Sequence, residues 1–221
     1  MDRSRIAIVI PALNEQTSIA SVIQNCLSYG TPIVVDDGSS DETGTVALLH
    51  NAYVVRHATN LGYDAALNSG FAKASELNFE VVVTIDADGQ HNPGLIYQCV
   101  ALFEAGADVV VGVRDQKARI SEYCFALLTQ VLYGITDPLC GLKAYRIGVY
   151  RSLGYFDSYQ SIGTELSIHA ARTGFKLSQF AVPIRERAGD APPRFGRALK
   201  ANYKIFRAMF ICLLRAFGKR H

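Results

Sequence analysis

The chain has 221 residues, 49% of them hydrophobic, which is enough for one sizeable domain with a well-filled core. The formal net charge of +2 is unevenly distributed, since the segment from Arg194 onward holds eight Lys or Arg and no Asp or Glu. The five cysteines show no CxxC spacing, which argues against structural zinc and a disulfide framework. Without an apolar run of about 18 residues or a signal peptide, the chain is expected to be cytoplasmic, soluble or peripheral.

Strands and helices alternate along the first half of the chain. Short β-branched apolar runs predict strands at residues 6–10, 32–35, 52–56, 81–85 and 108–112. Amphipathic spacing predicts helices at residues 16–29, 64–77 and 93–105, and a polar turn at 36–41 caps a further helix start. This order is typical of βαβ units and predicts an α/β fold with a mostly parallel sheet covered on both faces.

The rhythm changes after residue 114. Helices are predicted at 121–133 and 164–173, a strand at 177–182, a mobile loop at 183–197 and a final helix at 199–217. We therefore expect a main domain at residues 1–187, followed at 188–221 by the loop and a basic amphipathic helix. The uncharged stretch at 123–136 fits either a groove for an apolar chain or an ordinary core helix.

Acidic residues follow three of the predicted strands. Glu15 follows the first strand, Asp36 and Asp37 follow the second, and Asp86 and Asp88 follow the fourth. In an open parallel sheet ligands bind at the carboxyl ends of the strands, so these carboxylates are expected on one edge. Clustered carboxylates repel each other unless a cation or a strong donor lies between them. Oxygen ligands of this kind suit Mg²⁺ or Mn²⁺, with substrate phosphates completing the coordination.

Several short segments resemble, in order, the successive motifs of the inverting GT-A glycosyltransferases of family 2, which include dolichol-phosphate mannose synthase. The segments are residues 11–15, 35–41, 60–63, 86–90, 111–114 and 137–143. The resemblance spans about residues 5–187. It implies a Rossmann-like, three-layer GT-A fold and transfer of a hexose from a GDP- or UDP-sugar, in glycan biosynthesis.

The resemblance also implies a metal site and a nucleotide site. Asp86, Asp88 and Gln90 match the DxDxQ segment that binds the metal, where Asp88 would join the cation to the donor diphosphate. Positions that match the nucleotide-binding residues are Pro11, Ala12, Leu13, Glu15, Asp37 and Asp86. The alternatives are that Asp86 and Asp88 only cap the following helix and that Asp37 only forms a turn.

Two residues near these motifs carry no assigned role in the transfer. His91 is expected to be structural or to support the metal ligands rather than bind the metal. The family often has N-x-G-x-G where this chain has Asp64 in place of the second glycine. The alternatives are that Asp64 caps the helix that follows or that it alters the contact with the diphosphate, so no role is carried over to it.

The acceptor implied by the resemblance is a polyprenyl phosphate. A phosphate oxygen is already ionised near neutral pH and needs no general base, but it does need cations near the site. The candidates are Arg114, Lys143, Arg187 and Arg194.

Glu165 decides between acceptor classes, because it resembles a position that supplies a base in relatives with hydroxyl acceptors. It is a base, an orienting group, or only an acidic residue at a helix N-terminus. One alternative is therefore transfer to a saccharide or glycolipid hydroxyl, with Glu165 as the base. A separate alternative is that the chain is an inactive nucleotide-sugar-binding partner subunit.

The final helix is basic and amphipathic, which favours an anionic membrane surface as partner. The residues expected to contact it are Lys200, Lys204, Phe206, Arg207 and Phe210. The alternative is an ordinary helix packed on the domain with a solvated basic face. No nucleic acid partner is expected, and the oligomeric state is left open.

Overall fold

The computed structural model describes residues 1–89, 92–115, 117, 119–183 and 198–217, without the side chains of 198–201, 216 and 217. Within these residues the strands are β1 (Ile6–Ala12), β2 (Thr31–Asp36), β3 (Tyr53–Arg56), β4 (Val81–Thr84), β5 (Val109–Arg114), β6 (Lys143–Arg146) and β7 (Leu177–Val182). The helices are α1 (Ile19–Cys26), α2 (Thr43–Leu49), α3 (Tyr63–Glu76), α4 (Ile96–Glu104), α5 (Ile120–Tyr133), α6 (Ile147–Leu153), α7 (Glu165–Arg172) and α8 (Ala198–Phe217). Short 3-10 helices lie at Arg3–Arg5 and Pro93–Leu95.

The described strands form one sheet in the order β3-β2-β1-β4-β6-β5-β7. Only β6 runs against its neighbours: it pairs antiparallel with β4 and with β5, while the other described pairs are parallel. The carboxyl ends of the six parallel strands therefore share one edge of the sheet. This confirms the predicted α/β fold with a mostly parallel sheet.

Alternate residues of each strand feed two separate cores, as the two-residue period of a strand requires. In β1, Ile8 and Ile10 point into a core with α1 and α4, whereas Ala7 and Val9 point into a second core with α3. The second core also includes side chains of α5, α7 and α8. The result is three layers, with helices on both faces of the sheet.

Three elements, β6, α6 and β1, differ from the sequence predictions. β6 and α6 were not predicted, because neither Lys143–Arg146 nor Ile147–Leu153 has a long apolar run that would single it out. Strand β1 also runs two residues further than predicted, through Pro11. Since β4 pairs with β1 only as far as Val9, the N–H that proline lacks costs no ladder bond on that side.

Helix α8 packs on the domain through one face. Ile205, Ala208 and Cys212 are buried in the same core as Phe125 of α5. Among the described residues no helix is long and apolar enough to cross a membrane. The fold therefore includes α8, whichever partner its outer face meets.

Candidate active site at the carboxyl ends of the strands

Asp86 and Asp88 lie on the turn directly after β4, at the edge where the parallel strands end. Asp88 is buried and Asp86 is half-buried. Gly141 approaches Asp86 so closely that a Cβ at position 141 would lie 2.4 Å from its Oδ2. The absence of a side chain at position 141 therefore makes room for the Asp86 carboxylate.

This turn fits a hard divalent cation. Two carboxylates on one turn match sites that bind Mg²⁺ through one or two protein carboxylates and complete the coordination with substrate phosphates. Within the described part of the chain, no group of three or more His, Cys, Asp or Glu residues is placed to hold a metal alone.

The Asp37 carboxylate, predicted to bind the nucleotide, forms hydrogen bonds within the protein at the end of β2. Its Oδ1 accepts from the backbone N–H of Leu61 at 2.9 Å and its Oδ2 from that of Gly62 at 2.8 Å. His57 Nδ1 lies 2.6 Å from Oδ1, and His57 Nε2 lies 2.8 Å from the Ser69 hydroxyl. The carboxylate therefore holds the turn after β3 against the end of β2, a long-range role beyond simple turn formation.

The same two loops meet at Gly38. This residue has φ +75°, and an added Cβ would lie 2.5 Å from the carbonyl carbon of Thr59. Only glycine fits both the left-handed conformation and the close backbone approach.

A cleft of about 530 Å³ opens beside these loops, at the ends of β2 and β3. Its lining includes Asp36, Asp41, Arg56 and His57. Asp36 is buried and accepts from Arg56 Nε at 2.9 Å, while the Arg56 side chain is 57% exposed. The cleft thus offers polar groups of both charges, and sequence reasoning had not singled out Arg56 or His57.

The segment after β1 supplies the other predicted nucleotide contacts. Pro11 and Ala12 are buried in the strand, Leu13 is exposed, and the Glu15 side chain accepts from the Ser18 hydroxyl at 2.8 Å. The backbone N–H of Asp37 donates to the carbonyl of Ala12 at 2.9 Å. The structure therefore brings the ends of β1 and β2 together, as predicted.

Arg114 is enclosed in an ion-pair cluster rather than presented as an open cation. Its Nε and Nη2 donate to Asp137 at 2.8 and 2.9 Å, and Nη2 also reaches Glu122 at 3.1 Å. Although burial alone would raise the pKa of Asp137, its hydrogen bonds with Arg114 outweigh burial and keep that pKa below its usual range. Two carboxylates therefore already neutralise the charge of Arg114, and its predicted role as a cation near the acceptor phosphate stays a prediction.

Lys143, another predicted contact of the acceptor phosphate, also has protein partners in this structure. Its side chain is buried, and Nζ donates to the carbonyls of Pro138 at 2.6 Å and Gly163 at 2.5 Å. Burial lowers the pKa of Lys143 to about 8. In this structure the buried ammonium therefore ties two loops together.

Glu165 begins α7 and is buried. Its carboxylate accepts from the Ser158 backbone N–H at 2.5 Å, from the Ser158 hydroxyl at 3.0 Å, and from Arg215 Nη1 of α8 at 2.5 Å. Both oxygens therefore have protein donors, which suits an orienting group better than a free base.

The loop before Glu165, residues 157–164, has an unusual backbone. Gln160, Ile162 and Gly163 have φ of 58°, 59° and 69°. The left-handed conformation is rare for a β-branched residue such as Ile162 and persists only where surrounding contacts impose it. Asp157 supplies some of those contacts, because its carboxylate accepts from the backbone N–H groups of Tyr159, Gln160 and Ser161.

Contacts from other elements complete the support of the 157–164 loop. Asn68 of α3 donates to the carbonyl of Asp157 at 2.7 Å, and Arg207 of α8 donates to that of Tyr159 at 2.9 Å. Asp64 accepts from the Gly163 N–H at 2.6 Å. Asp64, left without a role by the sequence, thus links the start of α3 to this loop.

Several predicted residues lie outside the described part of the chain. These are Gln90, His91, Arg187 and Arg194, together with the side chain of Lys200. Their predicted roles stay predictions.

Residues 7–124 match the family described as Glycosyl transferase family 2. An uncharacterized protein of Methanocaldococcus jannaschii is 32% identical, over 84% of this chain and 82% of its own. The dolichyl-phosphate hexose transferase of Haloferax volcanii is 29% identical, over 84% of this chain and 85% of its own. The undecaprenyl-phosphate mannosyltransferase of Micrococcus luteus is 27% identical, over 83% of this chain and 84% of its own.

Solved structures share the fold. Glucosyl-3-phosphoglycerate synthase from Mycobacterium tuberculosis, in complex with Mn²⁺ and UDP-glucose, superposes with a TM-score of 0.75 at 24% identity. The match covers 99% of this chain and 80% of that one. These similarities and the strand-end motifs agree: the chain belongs to glycosyl transferase family 2 and is a glycosyltransferase of the GT-A fold.

Proposed function

We propose that this glycosyltransferase moves a hexose, with inversion, from a GDP- or UDP-sugar to a polyprenyl phosphate. The observation that carries the acceptor proposal is the similarity to the H. volcanii dolichyl-phosphate hexose transferase and the M. luteus undecaprenyl-phosphate mannosyltransferase. Each covers more than four-fifths of both chains. A GT-A fold by itself would leave the acceptor open.

On the donor side, Asp86 and Asp88 would hold Mg²⁺ or Mn²⁺, with Gln90 as a further oxygen ligand. The cation would stabilise the charge that develops on the departing nucleoside diphosphate. Support comes from the paired carboxylates at the end of β4 and from fold neighbours solved with UDP and either Mn²⁺ or Mg²⁺. The nucleoside would lie along the ends of β1 and β2, beside the cleft that Arg56 lines.

On the acceptor side, the chemistry needs no proton removed, because a phosphate monoester is ionised near pH 7. The reaction instead needs positive charge that offsets the repulsion between the anionic donor and the anionic acceptor. Arg114 already forms ion pairs with two carboxylates, and Lys143 already donates hydrogen bonds to two backbone carbonyls. Arg187 and Arg194 therefore stay the proposed direct contacts with the acceptor phosphate.

The second candidate is transfer to a saccharide or glycolipid hydroxyl, with Glu165 as the base. The observation in its favour is a buried carboxylate at the start of α7, in the position that the family resemblance marks. Against it stands the occupation of both oxygens by Ser158 and Arg215.

One acceptor comparison separates the two candidates. Purified protein is incubated with Mn²⁺ or Mg²⁺, a panel of UDP- and GDP-hexoses, and either a polyprenyl phosphate or the polyprenol of the same length. The proposal predicts a sugar-phosphate-linked product from the phosphate alone. Turnover of polyprenol, or no turnover of any phosphate acceptor, contradicts it.

We also propose a peripheral location on the cytoplasmic face of a membrane. The exposed Lys204, Phe206, Arg207 and Phe210 of α8 support it, and Lys200 is the further basic residue that the sequence adds. Aromatic and basic side chains on one helix suit the interface of an anionic bilayer.

A further inference from the structure

The turn at the start of α3 touches two loops at the edge that carries the candidate active site. On one side, the backbone N–H groups of Leu61 and Gly62 donate to the Asp37 carboxylate at the end of β2, at 2.9 and 2.8 Å. On the other side, Asp64 accepts from the backbone N–H of Gly163 at 2.6 Å. This turn therefore connects the predicted nucleotide side with the loop before α7.

The bond from Gly163 to Asp64 is a tertiary contact rather than a helix cap. Asp64 lies inside the first turn of α3, whose cap residue is Gly62. Tyr63 adds a second contact, since a Cβ at position 163 would lie 3.6 Å from its ring. The start of α3 therefore holds Gly163 both by a hydrogen bond and by packing.

Lys143 of β6 holds the other backbone polar group of Gly163. Its buried ammonium donates to the Gly163 carbonyl at 2.5 Å and to the Pro138 carbonyl at 2.6 Å. Burial raises the pKa of Asp64 to about 6, and the positive charge of Lys143 opposes this rise, which shows that the two side chains lie near each other. Both the N–H and the C=O of Gly163 thus have ionisable partners, on two different elements.

The position of Glu165 depends on this loop. Ile162 has φ 59° and Gly163 has φ 69°, and a left-handed isoleucine persists only where surrounding contacts impose it. The Glu165 N–H donates to the Ser161 hydroxyl at 2.9 Å, and the Glu165 carboxylate accepts from the Ser158 N–H at 2.5 Å. Because Glu165 is bonded to the loop through both its backbone and its side chain, a shift of Gly163 would move it.

We propose that Asp64 is a positioning residue for the sugar transfer, which fixes the 157–164 loop and the start of α7 against the turn that Asp37 holds. The inference rests on the proposed function for the reaction that it serves. Asp64 acts through Gly163 on Glu165 and does not itself contact the reacting groups. Since the same turn meets Asp37, donor binding at the end of β2 would also tighten the loop before α7.

Amide hydrogen exchange of the 157–164 loop, followed by mass spectrometry, tests the contact. The variants are Asp64→Ala, which removes the acceptor oxygen, and Asp64→Asn, which keeps one. The matched control is Glu76→Ala, which removes an exposed carboxylate from the other end of the same helix. We expect Asp64→Ala to speed exchange of the loop about tenfold, with Asp64→Asn and the control close to wild type. UDP or GDP with Mn²⁺ should slow this exchange in wild type but not in Asp64→Ala.

Kinetics separate positioning from stability. Transfer is measured well below the melting temperature with the acceptor that wild type uses, either a short-chain prenyl phosphate or the matching prenol. We expect Asp64→Ala to lower kcat about tenfold and to leave nucleotide affinity near that of wild type, because a misplaced group lowers the rate without lowering donor binding. Asp64→Asn should recover most of the rate. A purely structural role would lower the melting temperature and leave the kcat of the folded enzyme unchanged.

The inference is overturned if the loop of Asp64→Ala exchanges at the wild-type rate, or if its kcat equals that of wild type. It is also overturned if Asp64→Asn loses as much rate as Asp64→Ala, since the acceptor oxygen would then not be the feature that matters. A wild type that turns over the prenol and not the phosphate contradicts the proposed function alone. If wild type turns over neither, the proposed function fails, and hydrogen exchange by itself decides the inference.

Discussion

The backbone N–H of Gly163 donates to the carboxylate of Asp64 at 2.6 Å, and this bond joins the start of α3 to the loop before Glu165. Ninety-nine residues separate the two partners in sequence. Asp64 occupies the position where the family often has glycine. In this chain the aspartate gives the 157–164 loop a fixed acceptor, so the turn after β3 and the loop before α7 are physically linked.

This contact predicts a pH dependence of stability. Burial raises the pKa of Asp64 from 3.8 to about 6, and neighbouring Asp157 adds to the rise. Between these values the folded chain keeps a proton that the unfolded chain has lost, so the contribution of Asp64 to stability falls as pH rises from about 4 to 6. Asp64→Asn keeps an acceptor oxygen but cannot titrate.

We therefore expect the free energy of unfolding of Asp64→Asn, relative to wild type, to increase by on the order of 2 kcal/mol between pH 4 and pH 7.5. Urea unfolding at the two pH values measures the difference, and other titrating groups cancel between the two proteins. A difference that does not change with pH would show that Asp64 is not buried as described.

Glu165→Gln distinguishes an orienting group from a base. Glutamine keeps an acceptor oxygen for the Ser158 N–H but loses the charge that pairs with Arg215. If the acceptor is a phosphate, we expect transfer to fall by no more than about tenfold, because no proton has to be removed.

A general base contributes about 10²- to 10⁴-fold, so a loss in that range would favour the hydroxyl-acceptor candidate. Arg215→Gln is the matched variant, because it breaks the same ion pair and keeps the carboxylate. Similar kcat losses in both variants indicate positioning, and a much larger loss in Glu165→Gln alone indicates a base.

The Arg114 cluster predicts a large stability effect at Asp137. Asp137→Asn leaves the largely enclosed Arg114 guanidinium with Glu122 as its remaining carboxylate partner among the described residues. Removing one partner of a buried pair is strongly destabilising, so we expect a loss of about 3 kcal/mol in urea unfolding. Glu76→Gln, which breaks the exposed Lys73–Glu76 pair, should cost less than about 1 kcal/mol. Equal, small effects at both positions would mean that Asp137 carries no buried charge.

The sequence was most informative where its pattern is local. Apolar β-branched runs correctly marked the first five strands, and polar residues at their ends correctly marked the edge that carries Asp37 and Asp86. By contrast, β6 is only four residues long and reverses the sheet direction, so its place between β4 and β5 depends on long-range pairing that no local pattern contains.

Residue roles were less predictable than positions, because they depend on partners far away in the chain. Arg114 and Lys143 were expected to meet a phosphate, since an isolated cation near a motif looks available. Their partners, Asp137 and the carbonyl of Gly163, become neighbours only on folding. The hydrogen bonds between the Asp37 carboxylate and the turn after β3 likewise form only on folding. Glu165, by contrast, was allowed an orienting role that fits its bonds.

The central claim is that Asp86 and Asp88 hold a divalent cation that binds the donor diphosphate. Titration calorimetry of UDP and GDP, with Mn²⁺ and then with EDTA, measures it most directly in wild type, Asp88→Asn and the exposed control Glu76→Gln. We predict that one nucleotide binds wild type and the control only with Mn²⁺, and that Asp88→Asn weakens this binding at least tenfold. Equal nucleotide affinity in EDTA, or unchanged Mn²⁺-dependent binding by Asp88→Asn, would contradict the account.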